Sequence, residues 1–216
     1  MLRYQVFCVE AGIFNPDKYP NQLEIDVFDQ RAVHYLIRHR QTGAYAASTR
    51  LILPDANNPE QPFPLELHCN IDNFEAMQAI DRRHLGEASR LCVSKTFKKR
   101  KHEEHSLITI DNDWHGHFTL EERRAFPHIS FALIACIIKA CHDNKIEYTF
   151  GTLEPAWYRF LSSAGIHFTK IGPLVDYSGT RWPGLIKISD LLNGVAEKNL
   201  EVWNLLTNKG RYWTKN

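Results

Sequence analysis

Charged residues that adjoin apolar, strand-like sequence recur in order through the first part of this chain. Arg3 stands four residues before Phe7, Glu24-x-Asp26-x-x-Asp29 follows, Arg50-Leu51 lies in a run of small and branched residues, and Glu87-Ala-Ser-Arg90 opens another. A carboxylate beside apolar surroundings can accept a proton from an attacking nucleophile, and arginine's planar fork grips a carboxylate at two points. A purely structural reading stands beside this one. Glu87 and Arg90 can form a local salt bridge at a strand start, and Asp26 and Asp29 can cap a helix or turn.

Better-known chemistries are missing. There is no P-loop, GxGxxG, GxSxG elbow or HExxH. His102, His105, His115 and His117 have no matching Cys or carboxylate scaffold, so no metal is expected. Cys92 has no His placed in sequence to activate it and reads as a small buried hydrophobe. The run Lys98-Lys99-Arg100-Lys101 reads as a solvated face or a docking patch.

The elements that would position these groups follow from periodicity. Residues 34–40 and 45–53 are β-rich and separated by Gln41-Thr42-Gly43-Ala44, which predicts an antiparallel hairpin. Alternation in the second strand puts Ala46, Ser48, Arg50 and Ile52 on one face, where a cleft or close packing can sit. Residues 54–64 form a turn-rich loop before a short helix near 73–80, and 88–94 reads as a strand. A polar, charge-dense insertion at about 95–124 precedes a helix over 129–142, apolar nearly all round, with a capping box at Thr119-Leu-Glu-Glu122 and Pro127 in a first turn. Then come a strand at 148–153, a helix at 156–164 ended by Gly165, strands at 168–171 and 180–188, and a helix over 190–207. The order predicts an α/β fold, a mixed sheet with helices packed on it, in one domain over 1–216.

Bulk properties agree. The chain has 216 residues, 44% hydrophobic, enough for one substantial core, and 26 basic against 25 acidic residues give +1, no electrostatic excess for nucleic-acid binding. Cys8, Cys69, Cys92, Cys136 and Cys141 are odd in number and lack a CxxC pair, which points to a reducing compartment. The start lacks a secretory signal pattern and no stretch is apolar for long enough to span a bilayer, so a cytoplasmic protein without a transmembrane segment is expected.

In sequence order, R-x-x-x-F, E-x-D-x-x-D, R-L and E-x-S-R resemble the acyl-homoserine-lactone (autoinducer) synthases, over roughly the first 95 residues. Downstream the chain resembles more closely the acyltransferases associated with PEP-CTERM/exosortase systems, relatives of the N-acyl amino acid synthases. The residues are His34 with Leu36, Ser94-Lys95-x-Phe97-Lys98-Lys99-Arg100, Glu154-Pro155 with Arg159 and Leu161, Gly165-Ile166-x-Phe168, Ile171-Gly172, and Asp176-Tyr177-x-Gly179-x-Arg181-x-Pro183. Two departures stand out: Ile13-Phe14 replaces the tryptophan of the lactone synthases, and relatives carry a longer N-terminal helix, so a trimmed start is expected.

The resemblance implies a GNAT-like (acyl-CoA N-acyltransferase) fold with a splayed strand pair, at about 88–94 and 148–153. It implies a fatty acyl donor on the pantetheine arm of acyl carrier protein or coenzyme A, no tightly bound cofactor, and a small-molecule amine acceptor. KTFKKRKHEEH has no glycine after the first of these strands, which disfavours coenzyme A's pyrophosphate and favours the carrier protein, for which Lys98, Lys99, Arg100 and Lys101 are the docking patch. By the resemblance, Glu87 is the base, acting through a water, with Arg50 and Arg90 beside it holding the carboxylates or binding an acceptor carboxylate. Arg3, Phe7, Asp26, Asp29, Ser89, Leu91, Cys92 and Val93 bind substrate, and the 129–138 helix lines an acyl tunnel. The expected activity is N-acyl transfer to an amino acid or similar amine. The alternatives are a lactone synthase using S-adenosylmethionine and a non-catalytic acyl or carrier-protein binding module.

Overall fold

A computed structural model describes residues 1–40, 42–78, 80–97 and 120–213, the last stretch with side chains from 129 onward. Helix α1 (Leu2–Tyr4) continues into a π-helical stretch, Gln5–Glu10, and a 3₁₀ turn, Val27–Arg31, leads into β1 (Ala32–Arg38) and β2 (Tyr45–Ile52). Short helices α2 (Pro64–His68) and α3 (Glu75–Gln78) precede β3 (Leu85–Val93). Then follow α4 (Leu120–Asp143), β4 (Tyr148–Leu153), α5 (Pro155–Ser163), β5 (Thr169–Lys170), β6 (Val175–Asp176), β7 (Thr180–Lys187), α6 (Ile188–Lys198) and α7 (Leu200–Thr207). The sheet runs β1-β2-β3-β4-β7-β5, with β6 paired to β7. This is the expected mixed α/β architecture.

The hairpin forms because β1 alternates half-buried and exposed residues, as an edge strand does, while β2 is buried from Ala46 through Ile52 with α4 packed across it. α4 owes its place to Leu133, Ile134, Ile137, Ile138 and Cys141, all buried against the sheet. A second apolar cluster, Ile52, Phe63, Leu65, Phe150, Ile171 and Leu185, lies apart from it and includes α2.

Several local expectations are corrected. α4 begins at Leu120, so Pro127 falls inside the helix instead of in its first turn. Pro64, read as the end of a loop, instead takes the first helical position of α2 over residues 64–68, a stretch with no helix expected. The helix expected over 190–207 is two, because Asn199 leaves helical geometry and its side chain accepts from the amides of Glu201 and Val202. The short strand β6 was not anticipated. The insertion's residues 98–119, with Lys98 to Lys101 and the four loop histidines, lie outside the described residues.

β3 and β4 determine the function-bearing shape. They pair in parallel only at Leu85, Gly86 and Glu87, opposite Tyr148, Thr149 and Phe150, and beyond these the strands part. On its other side β3 carries a bulge. Ser89 pairs with Arg50 and Cys92 with Ser48, so Arg90 and Leu91 together oppose Thr49, and Arg90 takes φ 54°. A bulge bends and twists its strand, here turning β3 away from β4.

α6 seats on the turn after α5 by close backbone approach. A Cβ on Gly194 would lie 2.2 Å from the Gly165 carbonyl oxygen. Gly→Ala inside a helix ordinarily stabilises; here overpacking reverses the sign, and Gly194→Ala is expected to lower Tm by roughly 2–12 °C. An unchanged or higher Tm in a thermal melt would contradict the close approach.

Candidate functional site

Four stretches of chain bring six charges together on one side of the parting strands. Arg3 donates through Nε to Glu24 and through Nη1 and Nη2 to the two oxygens of Asp29, at 2.8 and 3.1 Å. Arg50 donates through Nη1 to Asp29 and Asp26. Arg90 donates to Asp26 at 2.9 Å and to Glu24 at 3.0 and 3.1 Å. Read in order, Arg3, Glu24, Arg90, Asp26, Arg50 and Asp29 form a closed ring of alternating sign with no net charge. The Glu24 side chain is 0% and that of Arg50 1% exposed, so mutual pairing is what makes burial of these charges tolerable.

Local structure fixes the carboxylates. Asp26 caps the 3₁₀ turn through the Phe28 amide and Asp29 returns a bond to the Asp26 amide. The capping reading and the network reading therefore both hold for these two residues. Burial opposes the charges of Arg3 and Asp29, but their hydrogen bonds outweigh it: the Arg3 pKa rises, and Asp29 is held below the usual carboxylate range by Arg3, the Asp26 amide and Arg50. His34 Nε2 lies 3.5 Å from Asp29, and burial lowers its pKa. Arg90 also lies 5.6 and 5.0 Å from the ring centres of Phe7 and Phe14, a cation–π pocket that holds its guanidinium.

A cavity of about 310 Å³ opens where β3 and β4 separate. Its polar end carries Asp26, Arg50, Glu87, Ser89 and Arg90 from the ring side, and His68, Glu154, Tyr177 and Arg181 from the other elements. Its apolar end runs between α4, α5 and α6, against Ile134, Ile137, Ile138, Trp157, Leu161, Ile166, Ile188 and Leu191.

Glu87 sits at the last paired residue before the strands part. It is 3% exposed, and Oε2 accepts the Leu65 amide in the first turn of α2 at 2.9 Å. Burial pushes its pKa up from 4.5 to about 7, against the smaller opposing pulls of that amide, Arg50 and Arg90. A carboxylate poised near neutrality in a cavity wall has the properties of a general base.

The structure thus brings together Arg3, Phe7, Asp26, Asp29, Arg50, Glu87, Ser89, Arg90 and Leu91, with Arg3 and Asp29 reaching the cavity only through the ring. Cys92 and Val93 are a correction. Cys92 contacts Ser48 in the core and Val93 packs with Ala47 and Leu133, away from the cavity. Glu24, His68, Tyr177 and Arg181 were missed as site residues, although Glu24 and the Asp176-Tyr177-x-Gly179-x-Arg181 stretch carried a sequence signal. None of the five cysteines is in a disulfide. Among the described residues no helix is long and apolar enough to cross a membrane.

Residues 2–107 match the acetyltransferase (GNAT) domain family. No curated protein matches the chain. Among solved structures it resembles BjaI, a CoA-dependent acyl-homoserine lactone synthase with SAM and isopentyl-CoA, at TM-score 0.59 and 15% identity over 100% of this chain and 80% of that one. TofI, in a ternary complex with an inhibitor and MTA, matches at TM-score 0.54 and 19% identity over 90% and 85%. FeeM, an N-acyl amino acid synthase from uncultured soil microbes, matches at 0.50 and 14% over 82% of each chain. At such identities the likeness is one of fold.

Proposed function

We propose that this chain, with its GNAT-type fold and a GNAT domain match over residues 2–107, is an N-acyltransferase that moves a fatty acyl group from a pantetheine thioester to the amine of an amino acid or similar acceptor. The observation that carries the reading is Glu87: a buried carboxylate with its pKa lifted to about 7, at the vertex of a cavity polar at one end and apolar at the other.

The acyl chain lies in the apolar end and its thioester carbonyl reaches the vertex. The neutral amine attacks that carbonyl while Glu87, through a water, takes the proton the nitrogen sheds. The tetrahedral intermediate then collapses to the amide, the C–S bond breaks, and the proton passes to the departing pantetheine thiolate. The ring arginines and Ser89 hold the wall of this end in place.

Acyl carrier protein is the donor favoured by the glycine-free sequence after β3, and the cytoplasm is the compartment where that donor and cysteines outside disulfides coexist. The sequence likeness to PEP-CTERM/exosortase-associated acyltransferases favours the same type of donor. In place of the lactone synthases' tryptophan, Phe14 fills the cavity wall and packs on Arg90, which disfavours a lactone product.

Incubation of the purified protein with acyl carrier protein and coenzyme A thioesters of graded length, each with a panel of amino acids and with S-adenosylmethionine, tests the reading by product mass. N-acyl amino acids support it. A homoserine lactone product, or binding of the carrier protein with no amide formed, sinks it. Ile134→Trp, which fills part of the apolar end, is expected to shift donor preference to chains shorter by several carbons; unchanged preference in the same panel would remove the acyl chain from this end.

A further inference from the structure

Among the described residues lining the cavity the arginines are Arg50, Arg90 and Arg181. The first two are spoken for. Arg50 gives Nε to Ser89 and Nη1 to Asp26 and Asp29, and Arg90 gives Nε and Nη2 to Glu24 and Asp26. A guanidinium already matched by two partly or fully buried carboxylates has little charge left for a third anion. The sequence-based expectation that Arg50 or Arg90 binds an acceptor carboxylate therefore meets an obstacle in the ring itself.

Arg181 is in a different state. β7 carries it to the cavity, and its side chain is 13% exposed. Of its donors, Nη2 alone is bonded among the described residues, to Glu154 at 3.0 Å; Nε has no acceptor but is closed off from the cavity, so a ligand there can meet only the Nη groups. A guanidinium carries five N–H groups in a fork that matches a carboxylate. A half-satisfied fork in a cavity wall is a site with capacity for an anion. The stacked pair His68 and Tyr177, ring centres 4.6 Å apart, lies on the same wall. Glu87 and Arg181 both line this cavity.

We propose that Arg181 is the clamp for the acceptor's carboxylate, so that the acceptor class is the free amino acid, its amine toward Glu87 and its carboxylate on the unused edge of the guanidinium. This rests on the N-acyltransferase reading. Glu154 shares the arginine and weakens the site, so its removal strengthens the clamp.

Calorimetric titration of the full chain with N-dodecanoylglycine and with N-dodecanoylglycinamide, which differ only in the carboxylate, decides the matter. The wild-type protein is expected to bind the acid about 10–100-fold more tightly than the amide, the worth of a charge-assisted bond. Arg181→Gln is expected to bring the two within about twofold, Arg181→Lys to keep part of the preference because charge survives without the fork, and Glu154→Gln to raise affinity for the acid several-fold. Equal affinities in the wild type, or a preference that survives Arg181→Gln, overturn the assignment. If Arg181→Gln does not fold, Glu154→Gln decides: acid binding that is unchanged or weaker overturns it. The measurement needs no turnover. Acid preference without amide formation sustains the clamp and sinks the N-acyltransferase reading, whereas turnover without acid preference does the reverse.

Discussion

Glu87→Gln is expected to lower kcat/KM for amide formation by about 10²–10⁴-fold and, at pH 8, to raise the melting temperature. The two effects share one cause. Burial lifts the folded-state pKa from 4.5 to about 7, so the stability this group contributes is fully present below about 4.5 and is lost as pH rises through about 7. Glutamine is neutral at every pH and can still accept the Leu65 amide, so the variant should match the wild type in acid and exceed it in alkali. The wild-type rate should run the other way, rising with pH and reaching half its plateau near 7, because only the ionised carboxylate takes a proton. A pH–rate profile and paired melts at pH 4.5 and 8 check both. A flat profile, or a variant less stable at pH 8, would remove Glu87 from the role of base.

Arg50→Met is expected to cost about 3–5 kcal/mol of stability, the usual penalty for stranding buried charge. Arg50 is 1% exposed and bonds two ring carboxylates, Asp26 and Asp29, at 2.6 and 2.5 Å. Its loss leaves both with one arginine fewer and opens the ring. Asp29 normally contributes stability above its unfolded pKa that is lost as pH falls, so the acid limb of the stability curve should flatten in the variant. Because the members act together, Arg50→Met combined with Asp29→Asn should cost less than the sum of the two. Denaturant melts of the four proteins would test this; strict additivity would mean the ring is no energetic unit.

Much of this site was readable from residue order, and the failures have specific physical causes. β4 was found at its true bounds because Tyr148–Leu153 is rich in aromatic and branched residues, and the hairpin followed from two β-rich runs on either side of the turn at 41–44. α2 was hidden because five residues are too few for a helical period to register, yet this helix supplies the amide that holds Glu87. Cys92 and Val93 were carried to the cavity by the resemblance alone. The bulge at Arg90 and Leu91 breaks the register of β3, and beyond it Cys92 and Val93 are each buried in an apolar cluster. Glu24 was visible in its motif, but its partners Arg3 and Arg90 stand 21 and 66 residues away, a closure no local pattern announces. Arg181 lay in a stretch noted for resemblance alone, and its meaning depended on finding the other arginines already engaged.

The three rungs that join β3 to β4 have a mechanical consequence. They make the sheet two sub-sheets, β1 to β3 and β4 to β7 with β5, stitched along a short seam. Past the seam, those main-chain amides and carbonyls of residues 88–93 and 151–153 that face the gap lack the neighbour a parallel ladder would supply, while the others pair with β2 and β7, and such groups demand partners. An extended, amide-bearing ligand arm inserted there would act as a surrogate strand and knit the halves together. Substrate arrival would then slow amide hydrogen exchange on both sides of the gap, so that the loaded enzyme is the one in which the sheet is finally whole.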